Sequence, residues 1–213
     1  MQVVIAGGHG QIAMLLHPLL VASGHEVRGL IRNPDQADAV ELAGAKAGLC
    51  DLESDDAVAP LLANADAVIF AAGAGPGSGA KRKFSMDRDG AIKLMDAAKA
   101  AGVSRYVMIS AMNAEQPRGE EVFQAYLKTK AEADAALRGS GLNYTIIRPG
   151  RLTNEPPTGK IIAAKSLPRA DIPRGDVAAV IARVLEMPAT IGRQFDVTSG
   201  DRHINEALAA ATQ

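Results

Sequence analysis

One feature constrains this chain more than any other: a short apolar run, Gln2–Ala6, ends in Gly7-Gly8-His9-Gly10-Gln11-Ile12-Ala13 and passes at once into an amphipathic segment. Ile12, Leu15, Leu16, Leu19 and Leu20 repeat at the spacing that a helix gathers onto one face, and Ser23-Gly24 closes the segment. Strand, glycine turn and helix in direct succession open a βαβ unit. Gly7 permits the sharp turn, Gly10 lets backbone approach a pyrophosphate, Ala13 lets helix and strand pack closely, and the helix N-terminus offers unpaired N–H groups to phosphate oxygens. His9 reads as a loop residue lending its backbone. Gly7, Gly8, His9, Gly10, Gln11 and Ile12 are thus the first half of an expected dinucleotide site, the plain alternative being a tight turn that binds nothing.

The rest of the chain repeats the alternation. Glu26–Ile31, Ala67–Ala72, Tyr106–Ser110 and Tyr144–Arg148 read as strands, with a weaker one at Lys46–Cys50. Helical spacing covers Asp55–Leu62, Asp89–Ala101, Val122–Leu137, Asp176–Leu185 and Asn205–Ala211. This order predicts an α/β fold, a Rossmann-type doubly wound parallel sheet in a single domain over 1–213, with 151–213 as a small C-terminal extension forming the substrate-side wall. Two stretches break the pattern, Gly73–Arg82 and Arg148–Gly159. Each follows a predicted strand, where ligands of open α/β sheets bind, so both are candidate cleft walls; for the basic run Lys81 to Lys83 a solvated face is an equal reading.

Composition narrows the function classes. With 23 basic and 24 acidic residues the formal net charge is −1, which gives no electrostatic footprint for nucleic acid or an anionic membrane. Aromatic residues make up 3% of the 213, and tryptophan is absent, which argues against a base-stacking surface. Cys50 is the single cysteine, and neither it nor His17, His25 and His203 takes metal-ligand spacing, so no metal is expected. The start lacks a charged signal-peptide region and no apolar stretch reaches bilayer length, so the expectation is a cytoplasmic protein acting on a small molecule, of unreadable oligomeric state.

The far end of a dinucleotide is read about twenty residues past the turn, where an acidic residue suits NAD and arginine suits NADP. This chain has Arg32, followed by Asn33-Pro34, so NADP(H) is the expected cofactor, with NAD(H) still possible and a plain surface arginine as the alternative. Asp51 and Leu52, at the end of the third strand, are placed to receive adenine, and Ala71, Ala72 and Gly73 are small enough to let a cofactor lie across the fourth. Tyr126 and Lys130 share one helix face. The ammonium is expected to meet ribose hydroxyls and to lower the pKa of Tyr126, while Ser110 holds a substrate carbonyl. The alternative is a half-buried core tyrosine with a lysine that reaches out to water. Lys128 and Glu132 read as a solvent-facing pair, and Asp87 as a helix start or solvated face.

Together the glycine turn, Arg32, Asp51-Leu52, Ala71-Ala72-Gly73, Ser110, the Tyr126/Lys130 pair and Arg148-Pro149-Gly150 resemble the short-chain dehydrogenase/reductase superfamily. The strings DRDGAIKLMDAAK, AYLKTKAEAD and NYTIIRPGRLTNEPPTGKI are similar to its atypical NAD(P)H-binding, NmrA-like branch, related to biliverdin and flavin reductases. The resemblance implies NADP across the strand ends, an acid/base role for Tyr126, a ribose role for Lys130 and backbone contacts from Pro149 and Gly150. The function expected is reduction of a small carbonyl, quinone or flavin-like acceptor. A non-catalytic NADPH sensor, or an epimerase or dehydratase that keeps its cofactor, remains open.

Overall fold

The computed structural model describes residues 1–75 and 77–213; Pro76, in the expected glycine-rich wall, lies outside them. The first half of the chain builds one side of a doubly wound sheet. Strand β1 (Gln2–Ala6) leads into helix α1 (Gln11–Ala22), β2 (Glu26–Ile31), the short α2 (Ala37–Leu42), β3 (Lys46–Leu49) and β4 (Ala67–Phe70). A helical rod follows, made of α3 (Ala80–Arg82), a π-helical segment (Lys83–Gly90) and α4 (Ala91–Ala100), and then β5 (Arg105–Ile109), α5 (Glu121–Arg138) and β6 (Asn143–Pro149). The remainder comprises β7 (Arg151–Thr153), β8 (Lys160–Ala164), β9 (Asp171–Pro173), α6 (Arg174–Leu185), β10 (Arg193–Ser199), β11 (Arg202–His203) and α7 (Ile204–Ala211).

Among the described residues one nine-stranded sheet runs β11-β8-β10-β6-β5-β4-β1-β2-β3, and β7 and β9 form a separate parallel pair. From β3 to β10 all neighbours are parallel; β8 and β11 add an antiparallel edge. This is the doubly wound arrangement predicted, and the chain forms a single Rossmann-like α/β domain. Strand alternation supplies both faces of the core. Val3 and Ile5 face Leu16 and Leu20 of α1 and Val180 and Val184 of α6, whereas Val4 and Ala6 face the layer of Leu94 and Met95 from α4 and Leu137 from α5.

Three expectations are corrected. The predicted helix Asp55–Leu62 is a turn network ending in the 3-10 segment Ala59–Leu62. Ser54, Asp51 and Asp56 spend their side chains on nearby backbone, which competes with helix formation, and Pro60 has no N–H to give. The predicted helix Asp89–Ala101 belongs to a rod that starts at Ala80, so Asp87 lies inside it, buried, and is not a solvated helix start. Glu132 pairs with Arg88 at 3.1 Å, leaving Lys128 exposed and outside that pair.

Candidate functional site

The carboxyl ends of the parallel strands open into one long cleft. At the centre is the glycine turn. Gly7 has φ +79°, and a Cβ there would sit 2.6 Å from Ala72 Cα, so turn and fourth strand touch backbone to backbone. Gly8 does not line the cleft. It is pressed onto β2, where a Cβ would come within 2.5 Å of Gly29 Cα, and its N–H donates to Leu30 O at 2.8 Å. Buried His17, on α1, locks the turn from behind by donating Nε2–H to Gly8 O at 2.7 Å, and its burial holds the imidazole pKa down. Nothing in the spacing of His17 announced this, although its place on the inward half of α1 was a usable signal. The N-terminus of α1 has no side-chain cap and no acidic residue in its first turn, so the N–H groups following Gly10 face the cleft with no competing carboxylate.

The compartment on the β1–β3 side of the cleft has a volume of about 620 Å³ and is bounded by His9, Gly10, Gln11, Arg32, Asp51 and Leu52, with Ala71 to Gly75 along its floor. Asn33 stays outside; its side chain accepts from Asp35 N and starts the 3-10 turn after Arg32. One oxygen of Asp51 is engaged by Glu53 N at 2.9 Å. The residue that sequence reading missed is Glu53. Its carboxylate meets Arg32 at 3.5 Å, receives two bonds from Arg82 at 3.1 Å and one from the Ser85 hydroxyl at 2.6 Å. Burial pushes this carboxyl up, but Ser85, Arg82 and Arg32 outweigh it and its pKa is lowered. Of the basic run, Arg82 and Lys83 turn inward and donate to Ala74 O and Gly75 O, tying down the glycine-rich wall, while Lys81 is exposed.

Past Ile12 and Gly73 the cleft continues into a compartment of about 510 Å³ that brings Ser110, Tyr126, Lys130 and Pro149 together. Lys130 is buried. Its Nζ donates to Ile109 O at 3.1 Å, pairs with Asp87 Oδ1 at 3.3 Å and lies 5.8 Å from the centre of the Tyr126 ring. Burial works against its charge, but Tyr126, Asp87 and Asp134 prevail and its pKa is raised. Tyr126 corrects an expectation: burial raises its pKa, with Asp87 and Asp134 adding to the effect, and the opposing pull of Lys130 does not reverse it. The Ser110 hydroxyl is buried without a hydrogen bond among the described residues, beside Asp134, whose carboxyl is pushed up by burial against Arg148 and Ser110. Asp134 in turn is gripped by Arg148 at 2.9 and 2.6 Å, and Glu115 closes the far side of that guanidinium. Gly150 lies just outside, where a Cβ would collide with Ala170 O. Leu152 and Arg174, from the C-terminal part of the chain, complete the cleft rim.

A continuous trough with a glycine floor, an uncapped helix start at its middle and a Tyr/Lys pair at one end fits a nicotinamide dinucleotide laid across the strand ends. The comparisons with known proteins agree. Residues 7–188 match the NAD(P)H-binding family model, and the chain belongs to that family. It is 42% identical over 211 residues to a Bacillus subtilis protein described as an uncharacterized sugar epimerase, YhfK, covering 98% of this chain and 99% of the relative. Among solved structures it is similar to a Bacillus halodurans protein described provisionally as an NAD-dependent epimerase/dehydratase, with 36% identity, 99% of each chain covered and a TM-score of 0.94. The Lactococcus lactis oxidoreductase ylbE is similar at 30% identity, with a TM-score of 0.89 over 99% of this chain and 96% of the other. The fold and the nicotinamide cofactor class follow. Among the described residues no helix is long and apolar enough to cross a membrane.

Proposed function

We propose that this protein is an NADP-dependent reductase of a small carbonyl, quinone or flavin-like acceptor. The observation that carries the reading is the meeting of Ser110, Tyr126 and Lys130 in one compartment continuous with the dinucleotide trough. Bound there, a reduced nicotinamide would supply a hydride, one proton carrying two electrons, for the acceptor carbon. The Ser110 hydroxyl, beside Asp134, would donate to the carbonyl oxygen. Tyr126, kept protonated at neutral pH by its raised pKa, gives that oxygen its proton as the C=O π bond breaks, yielding an alcohol and oxidised cofactor. Lys130 orients the ribose and offsets the phenolate charge left on Tyr126. Arg32, half exposed at the other end of the trough, favours the 2′-phosphate of NADP.

A second reading is drawn from the names carried by the two Bacillus relatives: an epimerase that oxidises a sugar hydroxyl and reduces it again. The same Tyr126 would then remove and return a proton, and the cofactor would stay bound. Titration of the purified protein with NADPH and NADH by nicotinamide fluorescence, followed by quinones, flavins and small aldehydes with absorbance recording, separates these readings. Acceptor-dependent loss of NADPH supports the reductase. Tight binding with no loss sinks it and leaves the epimerase or a non-catalytic sensor, and equal affinity for NADPH and NADH removes the NADP preference.

A further inference from the structure

The trough does not end at Tyr126. Phe123, Tyr126 and Pro149 are shared with a further compartment of about 470 Å³, whose other walls include Met112, Arg118 and Arg169. Arg118 comes from the connection between β5 and α5, and Arg169 from the connection between β8 and β9, so two distant stretches each bring an arginine to the lining of one compartment. No aspartate or glutamate lines the compartment among the described residues.

Arg82, Arg88, Arg148 and Arg151 each hold a carboxylate. Arg118 and Arg169 hold none among the described residues; Asp171, close enough to feel the charge of Arg169, is occupied through two bonds by Arg151. Arg169 instead lies over the Phe123 ring, its guanidinium carbon 5.5 Å from the ring centre. Such stacking keeps the fork flat and leaves its edge N–H groups free to donate. Met112, Leu127 and Pro149 make the passage from Tyr126 to the arginines apolar.

We propose that Arg118 and Arg169 bind a carboxylate of the substrate, so that the acceptor is a carbonyl compound with an apolar middle and a carboxylate remote from the reacting carbon. The inference rests on the reading of Tyr126 as the acid of a carbonyl reduction. A planar carboxylate matches the arginine fork with two parallel bonds, and among the described residues no carboxylate bonded to Arg118 or Arg169 has to be displaced. A neutral isostere forfeits these bonds.

The test uses 4-formylbenzoate and its methyl ester, which differ in charge but share the aldehyde. Calorimetric titration into protein saturated with NADP+, where no reduction occurs, gives the two affinities, and NADPH oxidation gives kcat/KM for each. The expected result is an acid-to-ester preference of about tenfold or more in wild type, the range for charge-assisted hydrogen bonds, weakened by salt. The preference collapses toward unity in the Arg118→Gln/Arg169→Gln double variant. Both arginines are exposed, so the variant keeps the fold, which circular dichroism checks. Equal binding of acid and ester, a preference kept by the double variant, or binding of neither probe overturns the proposal. Arginine-dependent binding of the acid without NADPH consumption keeps the anion site and sinks the reductase; equal turnover of both probes does the reverse.

Discussion

Lys130 Nζ lies 3.3 Å from Asp87 Oδ1, with 5% and 1% of the two side chains exposed. The other Asp87 oxygen accepts from Ala74 N at 3.3 Å, so one carboxylate holds both the lysine beside Tyr126 and the glycine-rich wall. Asp87→Asn leaves a buried ammonium without its counter-charge, and such a loss costs about 3–5 kcal/mol. Urea denaturation at neutral pH measures it. A loss under about 1 kcal/mol would show that Lys130 is held mainly by Ile109 O and by the rings of Phe70 and Tyr126, each centred within about 6 Å of its Nζ.

Tyr126→Phe is expected to lower kcat by about 10²- to 10⁴-fold, the usual contribution of a positioned acid, with NADPH affinity retained. The pH profile is a sharper check. Because burial raises the Tyr126 pKa, the donating, protonated form persists through neutrality, and kcat/KM in the reductive direction falls only above about pH 10. A decline that begins near pH 7 and vanishes in the phenylalanine variant would contradict the raised pKa.

Glu53 puts a negative charge beside Arg32, where a 2′-phosphate would otherwise have the guanidinium to itself. Glu53→Gln is therefore expected to strengthen NADPH binding relative to NADH by a few-fold, as suits a partly exposed ion pair worth at most about 1 kcal/mol. Fluorescence titration with both nucleotides measures the ratio. No change would mean that Arg82 and Ser85 already hold the carboxylate away from the phosphate position.

Glu115 gives a stability prediction with a definite sign. Bonds from Arg148 hold its carboxyl below the ordinary value of 4.5, against a smaller opposing effect of burial. A lowered folded-state pKa means that the unfolded chain binds the proton more readily, so the contribution is complete above about pH 4.5 and is lost as pH falls through the folded value. The side chain is half exposed, which limits the contribution to about 1 kcal/mol or less. Glu115→Gln should lower the melting temperature at pH 7 and flatten the acid limb of stability against pH.

The parts of this architecture that local backbone chemistry dictates were legible in the chain. Gly7 needs a left-handed φ, α1 needs one apolar face, and β1 needs burial on both sides; each leaves its mark within a few adjacent residues. The antiparallel edge escaped because β8 and β11 are short and the pairing of β8 with β10, and of β11 with β8, is set by contacts across the sheet. The charged interior escaped for a related reason. Asp87 meets Lys130, and Glu53 meets Arg82, across separations that no spacing rule spans, and an aspartate in a polar-looking stretch is indistinguishable from a solvated one until the rod around it is known. Gly8 shows the opposite error: its neighbours in the turn line the cleft, so it was grouped with them, yet close approach to Gly29 is what it serves.

The π-helical segment Lys83–Gly90 makes residue number itself a constraint on this protein. Deleting one residue there either draws the segment toward α-helical bonding, which moves the side chains within it, or keeps the winding and rotates one half of the rod against the other by about 100°. Either Asp87 swings away from Lys130, or Gly90, tucked against Leu52 and Met86, is driven out of its niche. Away from Asp87 and Gly90, the stretch is thus expected to accept changes of side chain more readily than a change of length.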